Sequence, residues 1–240
     1  MISKRMSNIT PQALSKLAQY DTPTVCNEIR SRAVGFMDHT IRAAYPEMRP
    51  MVGIALTARF RSGTPKSAGG GYAKLADQIA RMADLPGPAI VTFQDLDTPS
   101  VGATFGEVMC STYQAFGAAG LITSGAGRDM EQVRELGFPV FTGSTICSHA
   151  YNQIFDLGAT IEVGGLKVST GDLLHGDANG VTNIPLEIAA EVADACEPFI
   201  AAEAHVIDYN KSGDAKSIAE FTARHRATLD GMERLRKELW

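Results

Sequence analysis

Short apolar runs alternate with helical periods along most of the chain. MVGIALTARF at 51–60 is a strand candidate, bounded by Pro50 and by the turn material RSGTPKSAGGG. AIVTFQD at 89–95 and residues 119–124 and 138–142 continue the series, and TIEVGGLKV at 160–168 and GVTNIP at 180–185 read as later strands. Between them the spacing predicts helices over 72–83, from about Glu107 to Phe116, over 130–136 and over 186–195. Two helical stretches come first: 10–20, where Thr10 can cap and Pro11 fills the first helical position, and 23–32. A last helix, from about 217 to 239, carries Ile218, Phe221, Leu229, Met232, Leu235 and Leu239 on an apolar stripe. Glu220 with Arg224, Asp230 with Arg234 and Glu233 with Lys237 have the favourable i,i+4 order there. This organisation reads as an N-terminal helical arm (1–20), an α/β domain (21–200) and a C-terminal helical extension (201–240) that packs on its own domain or on another subunit.

With 240 residues, 45% of them apolar, the chain is long enough to bury a sizeable core. Its 22 Lys and Arg against 27 Asp and Glu give a net charge of -5, which argues against a general nucleic-acid backbone binder. No window approaches the ~18 apolar residues of a membrane span. The start, MISKRMSNITPQALSKLAQYD, is basic but has no apolar secretion core. The expectation is a cytoplasmic protein with neither membrane nor nucleic-acid partner. Cysteines at 26, 110, 147 and 196 fit neither a disulfide framework nor a CxxC site and read as buried free thiols.

Chemistry concentrates where the strand at 119–124 meets the helix at 130–136. There Gly125-Ala126-Gly127-Arg128-Asp129 places an arginine and a carboxylate at a strand-to-helix junction, where open α/β sheets bind ligands. Arg128 can grip a substrate carboxylate and Asp129 can offer oxygen to a divalent metal. Taken alone, Asp129 could equally cap its own helix and Arg128 form a surface ion pair. In FGEVM (105–109), the amides of Glu107, Val108 and Met109 are free to bind a carboxylate if Gly106 precedes the first turn. Glu107 and Asp129 lie one helix–strand crossover apart and can face one cation, with Mg²⁺ or Mn²⁺ suiting oxygen ligands.

Other groups carry less. The glycine run at 69–71 lacks nucleotide-loop spacing and reads as a mobile surface or substrate-side loop. GDLLHGDANGV (171–181) reads as tight-turn material, with Asp172 and Asp177 holding backbone amides. His39, His149 and His175 stand isolated, and Ser144 and Ser148 lack a nucleophile-elbow context.

The run FGEVM…AFGAAGLITSGAGRDMEQVRELGFPVF, followed by GDLLHGDANGVTNIP, resembles the RraA-like family over residues 20 to 195. That family includes divalent-metal aldolases acting on 4-hydroxy-4-methyl-2-oxoglutarate and 4-carboxy-4-hydroxy-2-oxoadipate, and regulators of ribonuclease activity. The resemblance implies a compact α/β domain of the swivelling β/β/α type, here with helical terminal arms, assembled as a trimer or hexamer with sites near subunit boundaries. It implies that Arg128 binds pyruvate, that Asp129 holds the metal, Mg²⁺ first and Mn²⁺ second, and that Glu107 helps hold metal-bound water. It also implies that the amides of Val108 and Met109 take the substrate carboxylate. A glutamate from a neighbouring subunit's C-terminal region is expected as well, with Glu191, Glu197 and Glu203 as candidates. Two departures stand out: Ser124-Gly125 where Asp-Gly is common, and Gly176-Asp177-Ala178-Asn179-Gly180-Val181 where Ala-Asp-x-Asp-Gly-Val is common.

The implied activity is a metal-dependent (class II) lyase that cleaves 4-hydroxy-2-oxo acids to pyruvate by retro-aldol reaction, with oxaloacetate decarboxylation sharing the enolate. A fixed cation and donors suit the charge that develops in that step. No lysine is placed for a Schiff base, although spacing leaves Lys66 and Lys167 open. Two alternatives stand beside it: a non-catalytic interaction module of the ribonuclease-regulator type, and an enzyme on another acidic oxo or hydroxy acid.

Overall fold

The computed structural model describes residues 9–29, 35–66 and 71–239. Gly69 and Gly70 of the glycine run, and the end of the predicted 23–32 helix, lie outside them.

Its sheet is built on four sequential parallel strands: β2 (Met51–Arg61), β3 (Ala89–Asp95), β5 (Gly120–Gly127) and β6 (Val140–Thr145). Alternation along these strands divides the core in two. Leu56, Val91, Leu121 and Val140 face α3 (Leu75–Met82), α4 (Glu107–Ala115) and α5 (Met130–Glu135), packing with Met82, Cys110, Tyr113 and Val133. Their neighbours Ala55, Ile90, Ile122 and Phe141 face the other way, onto the hairpin of β8 (Ile161–Val163) and β9 (Leu166–Val168). A strand covered on both faces needs apolar residues at successive positions, which is why β2 and β3 read as near-continuous apolar runs.

Antiparallel strands extend the sheet. β10 (Leu173–Asp177) pairs with β2, and β11 (Gly180–Ile184) pairs with β10. At the other edge β1 (Arg42–Ala43) pairs with β6. Two short strands lie off this path, β4 (Ala103–Phe105) beside β5 and β7 (Gln153–Phe155) beside β2.

A third apolar cluster joins the terminal helices to the sheet. Leu14 and Leu17 of α1 (Pro11–Leu17) and Val25 of α2 (Thr22–Ile29) pack with Val52, Ile54 and Leu173. Val192, Ala193 and Cys196 of α6 (Ala189–Lys211) complete it. The helix expected to stop at 195 continues to Lys211 through Pro198, running across the 200/201 division drawn from the sequence. α7 (Ile218–Leu239) folds back on α6, where Thr228 Oγ1 donates to Ala202 O at 2.9 Å. No helix among the described residues is long and apolar enough to cross a membrane.

Two sequence expectations are corrected here. The single strand read at 160–168 is a hairpin: Gly164 and Gly165 both take positive φ (53° and 73°), the turn that reverses two strands tightly. The turn material at 171–181 contains β10, whose residues are all buried. Asp172 and Asp177 nevertheless hold amides as expected, Asp172 from Ser169 N at 2.8 Å and Asp177 from Thr22 N at 2.9 Å.

Candidate active site

β5 ends at Gly127, and the chain must turn at once into α5. Asp129 makes that turn in the left-handed region (φ 55°, ψ 42°), uncommon for a residue with a side chain. Strain of this kind concentrates at functional positions and persists only where the surroundings enforce it. β4 supplies the enforcement by pairing with the end of β5: Phe105 lies opposite Gly127, and Arg128 N donates to Phe105 O at 3.2 Å. The Phe105 ring fills the space over Gly127, where a Cβ would stand 2.1 Å from it.

The next residue after β4, Gly106, caps α4 and brings that helix's first amides beside Asp129. Asp129 occupies the cap position of α5 but makes no side-chain bond to its own helix. Its Oδ2 accepts instead from Glu107 N, the first amide of α4, at 3.0 Å. A Cβ at position 106 would stand 2.5 Å from that oxygen, so only glycine permits the approach. Arg128 Nε lies 3.6 Å from the same Oδ2, and both side chains remain about one-third exposed.

These groups open onto a cavity of about 240 Å³ lined by Phe105, Val108, Met109, Arg128, Asp129 and His149, among others. The structure thus brings Arg128, Asp129, Val108 and Met109 together. The amides of Val108 and Met109 belong to the first helical turn and have no intrahelical acceptor. The amide of Glu107 binds a carboxylate, as its place in the first turn predicts, but that carboxylate is Asp129's, and the exposed Glu107 carboxylate is not part of the cavity wall. Cys110, one turn along, is buried, and burial beside the Asp129 charge pushes its thiol up to about 12, so it stays protonated.

Glu191, Glu197 and Glu203 lie on α6 and do not line this cavity. Nor do Lys66 and Lys167: Lys66 lies over the Tyr72 ring, and Lys167 is exposed on β9. Ser124, one of the departures, is used structurally, its Oγ accepting from Asp95 N at 2.9 Å. Asn179, the other, bonds Asp177 at the β10–β11 turn. The four cysteines are free; Cys110 and Cys196 are buried as expected, but Cys26 is half-buried and Cys147 exposed. His175 is fully buried between Thr22 Oγ1 (3.0 Å) and Leu17 O (3.1 Å), and burial lowers its pKa. His149 is the residue that spacing did not single out. It reaches the cavity through a bridge to Ala103 of β4, a long-range pairing with no local sequence signal.

The sequence profile of the RraA-like family (Aldolase/RraA) matches residues 22–182. A Halalkalibacterium halodurans protein, named provisionally as a 4-hydroxy-4-methyl-2-oxoglutarate aldolase, is 31% identical over 171 residues, covering 70% of this chain and 76% of that one. Among solved structures, an uncharacterised protein from Pseudomonas syringae pv. tomato superposes with a TM-score of 0.72 at 19% identity, over 94% of this chain and 96% of that one. Streptomyces coelicolor RraAS2, described as an unusual member of the RNase ES inhibitor RraA family, gives 0.64 at 20% identity, over 82% of this chain and 96% of its own. The two structural likenesses speak for the fold, and the profile with the Halalkalibacterium relative for descent: the chain belongs to the RraA-like family.

Proposed function

We propose that the protein is a divalent-metal-dependent lyase that cleaves 4-hydroxy-2-oxo acids to pyruvate, and that it also decarboxylates oxaloacetate. The observation that carries this reading is Asp129: a strained residue at a helix cap whose carboxylate leaves its own helix and turns, with Arg128, onto the cavity. A residue serving only as a cap would bond the amides of α5.

The donor set fits Mg²⁺, or Mn²⁺ in its place. Such ions take one or two carboxylates and fill their remaining positions with water and substrate oxygens. Among the described residues no three His, Cys, Asp or Glu side chains converge, so within one chain Asp129 is the carboxylate offered to the ion. Asp129 would hold the ion through the oxygen that Glu107 N does not occupy. When bound, the cation polarises the 2-oxo group and stabilises the enolate charge.

The chain's own residues do the rest. Arg128 pairs with the carboxylate next to the oxo group, and the Val108 and Met109 amides receive the same anion at the positive end of α4. Phe105, Ala103 and Ala150, with the side chains of Val108 and Met109, form the apolar part of the wall and limit water around the reacting carbons. Glu107 contributes its amide, which clamps Asp129, while its exposed carboxylate stands outside the wall. Oxaloacetate yields the same enolate on losing CO₂, so one set of contacts serves both substrates. Trimeric or hexameric assembly belongs to this reading.

The test is pyruvate release from 4-hydroxy-4-methyl-2-oxoglutarate and from oxaloacetate, with Mg²⁺ or Mn²⁺ and with a chelator. Chelator-sensitive release above the uncatalysed rate is expected. A folded, metal-supplied protein inactive on both would discard the lyase reading in favour of a regulator or of another oxo acid.

A further inference from the structure

Two polar side chains in the cavity wall, His149 and Asn152, have no part in the scheme above, and only the first can act as a base. His149 follows β6 and is stitched to β4 by main chain: Ala103 N donates to Ser148 O at 2.9 Å, and Ala103 pairs with His149 in a parallel bridge. β4 is also the strand that leads into Gly106 and α4, so His149 and the Asp129 clamp are fixed to one support. The ring itself is oriented, with Nδ1 2.6 Å from Ala150 O. A carbonyl oxygen only accepts, so Nδ1 carries the proton, and in the neutral ring Nε2 is left as the lone-pair acceptor. Ala150 is buried and seated against Gly102, where a Cβ would stand 2.7 Å from the Ala150 Cα. The carbonyl that sets the tautomer is therefore held in place.

We infer that His149 is the base of this site: its Nε2 takes the proton of the substrate's C4 hydroxyl and later delivers it to C3. The inference rests on the lyase reading and adds its proton carrier. As Nε2 takes the hydroxyl proton, the C3–C4 bond breaks and C4 becomes the carbonyl carbon of the departing 2-oxo acid. The electron pair of that bond passes into the C2–C3 enolate. The imidazolium, still bonded through Nδ1 to Ala150 O, then gives its Nε2 proton to C3, which yields pyruvate and restores the neutral ring. Other groups in the wall do not suit the task. The Arg128 guanidinium has no lone pair to offer, the free oxygen of Asp129 is the one assigned to the cation, the Asn152 amide is no base, and the Phe105, Val108 and Met109 side chains are apolar or nearly so.

Oxaloacetate separates this role from a structural one, because its decarboxylation has no hydroxyl proton to remove. In His149→Asn the side-chain amide can still donate to Ala150 O, but nothing replaces the Nε2 lone pair. The variant is expected to lose ~100-fold or more in kcat on 4-hydroxy-4-methyl-2-oxoglutarate, with KM little changed. Exchange of pyruvate C3 protons in D₂O should be lost with it, while oxaloacetate decarboxylation falls less than about tenfold. Full activity on the hydroxy acid, or equal losses on both substrates, overturns the assignment. Nitrogen NMR of the wild-type ring provides a test that needs no variant: an Nε2–H tautomer in the neutral protein also overturns it. A wild-type protein that releases pyruvate from neither substrate removes the lyase reading itself, and the base with it.

Discussion

Asp177, at the end of β10, and Asp129, just beyond β5, each accept the N–H of the first residue of a helix, Thr22 of α2 at 2.9 Å and Glu107 of α4 at 3.0 Å. From that shared start they diverge. The second oxygen of Asp177 accepts from Asn179 N at 2.8 Å and from its side-chain amide at 3.2 Å, and the residue is 8% exposed. Beside it His175 is bonded through both ring nitrogens. Asp129 spends one oxygen on a backbone amide, leaves the other without a hydrogen bond among the described residues, and keeps 37% of its side chain open. One carboxylate is consumed by the fold. The other is clamped by it and presented. What distinguishes a structural aspartate from a chemical one is thus how many of its lone pairs the protein leaves unfilled.

Substitution separates the two most sharply. Asp129→Ala should lower metal-dependent pyruvate release about 10³-fold, since the charge that fixes the cation is gone, while the melting temperature stays near that of the wild type. Steady-state kinetics beside a thermal melt checks both halves. Asp177→Ala should do the reverse, costing about 2–4 kcal/mol of stability because Thr22 N and Asn179 lose a charged acceptor in a buried place. The fraction that remains folded should turn over normally. A denaturant titration showing no loss of stability at 177 would break the comparison from its structural side. Arg128→Ala comes next: KM for the oxo acid should rise about 10- to 100-fold, with a smaller effect on kcat, because a bidentate partner is removed while Asp129 remains.

The smallest effect is one of pH and belongs to the interior. Glu28 on α2 is 5% exposed, and burial pushes its carboxyl up to about 7 against the opposing charge of Arg236. The folded protein therefore holds a proton that the unfolded chain releases in the ordinary carboxylate range. That contribution is complete at low pH and is lost as pH rises toward about 7. Glu28→Gln should flatten this part of the stability profile by about 1–2 kcal/mol, read from melts across the interval against the wild type.

The same contrast explains what was legible in the sequence. β2, β3, β5 and β6 were visible because strands covered on both faces need unbroken apolar runs. Arg128 and Asp129 were visible because a strand-to-helix junction with glycines before an acid is a local pattern. β10 was not: its Gly176 and Asp177 look like turn residues, and the bonds that bury His175 come from Thr22 and Leu17, some 150 residues away. β4 and β7, three residues each, are too short to show a period. Glu107 was legible both by its carboxylate and, with Gly106 before the first turn, by its free amide; that the amide takes the carboxylate of Asp129 follows from the β4–β5 pairing, which no local pattern shows. His149 was set aside as isolated because only the pairing of its segment with β4 carries it to the cavity.

The central claim is that Asp129, unlike Asp177, keeps an oxygen for a cation. The most direct measurement is Mn²⁺ binding, followed by electron paramagnetic resonance in the presence of pyruvate, for the wild type and for Asp129→Asn. The variant can still accept from Glu107 N but lacks the charge. The account predicts saturable binding by the wild type and loss of about 10- to 100-fold in affinity in the folded variant. Equal Mn²⁺ affinity in the two proteins would contradict it.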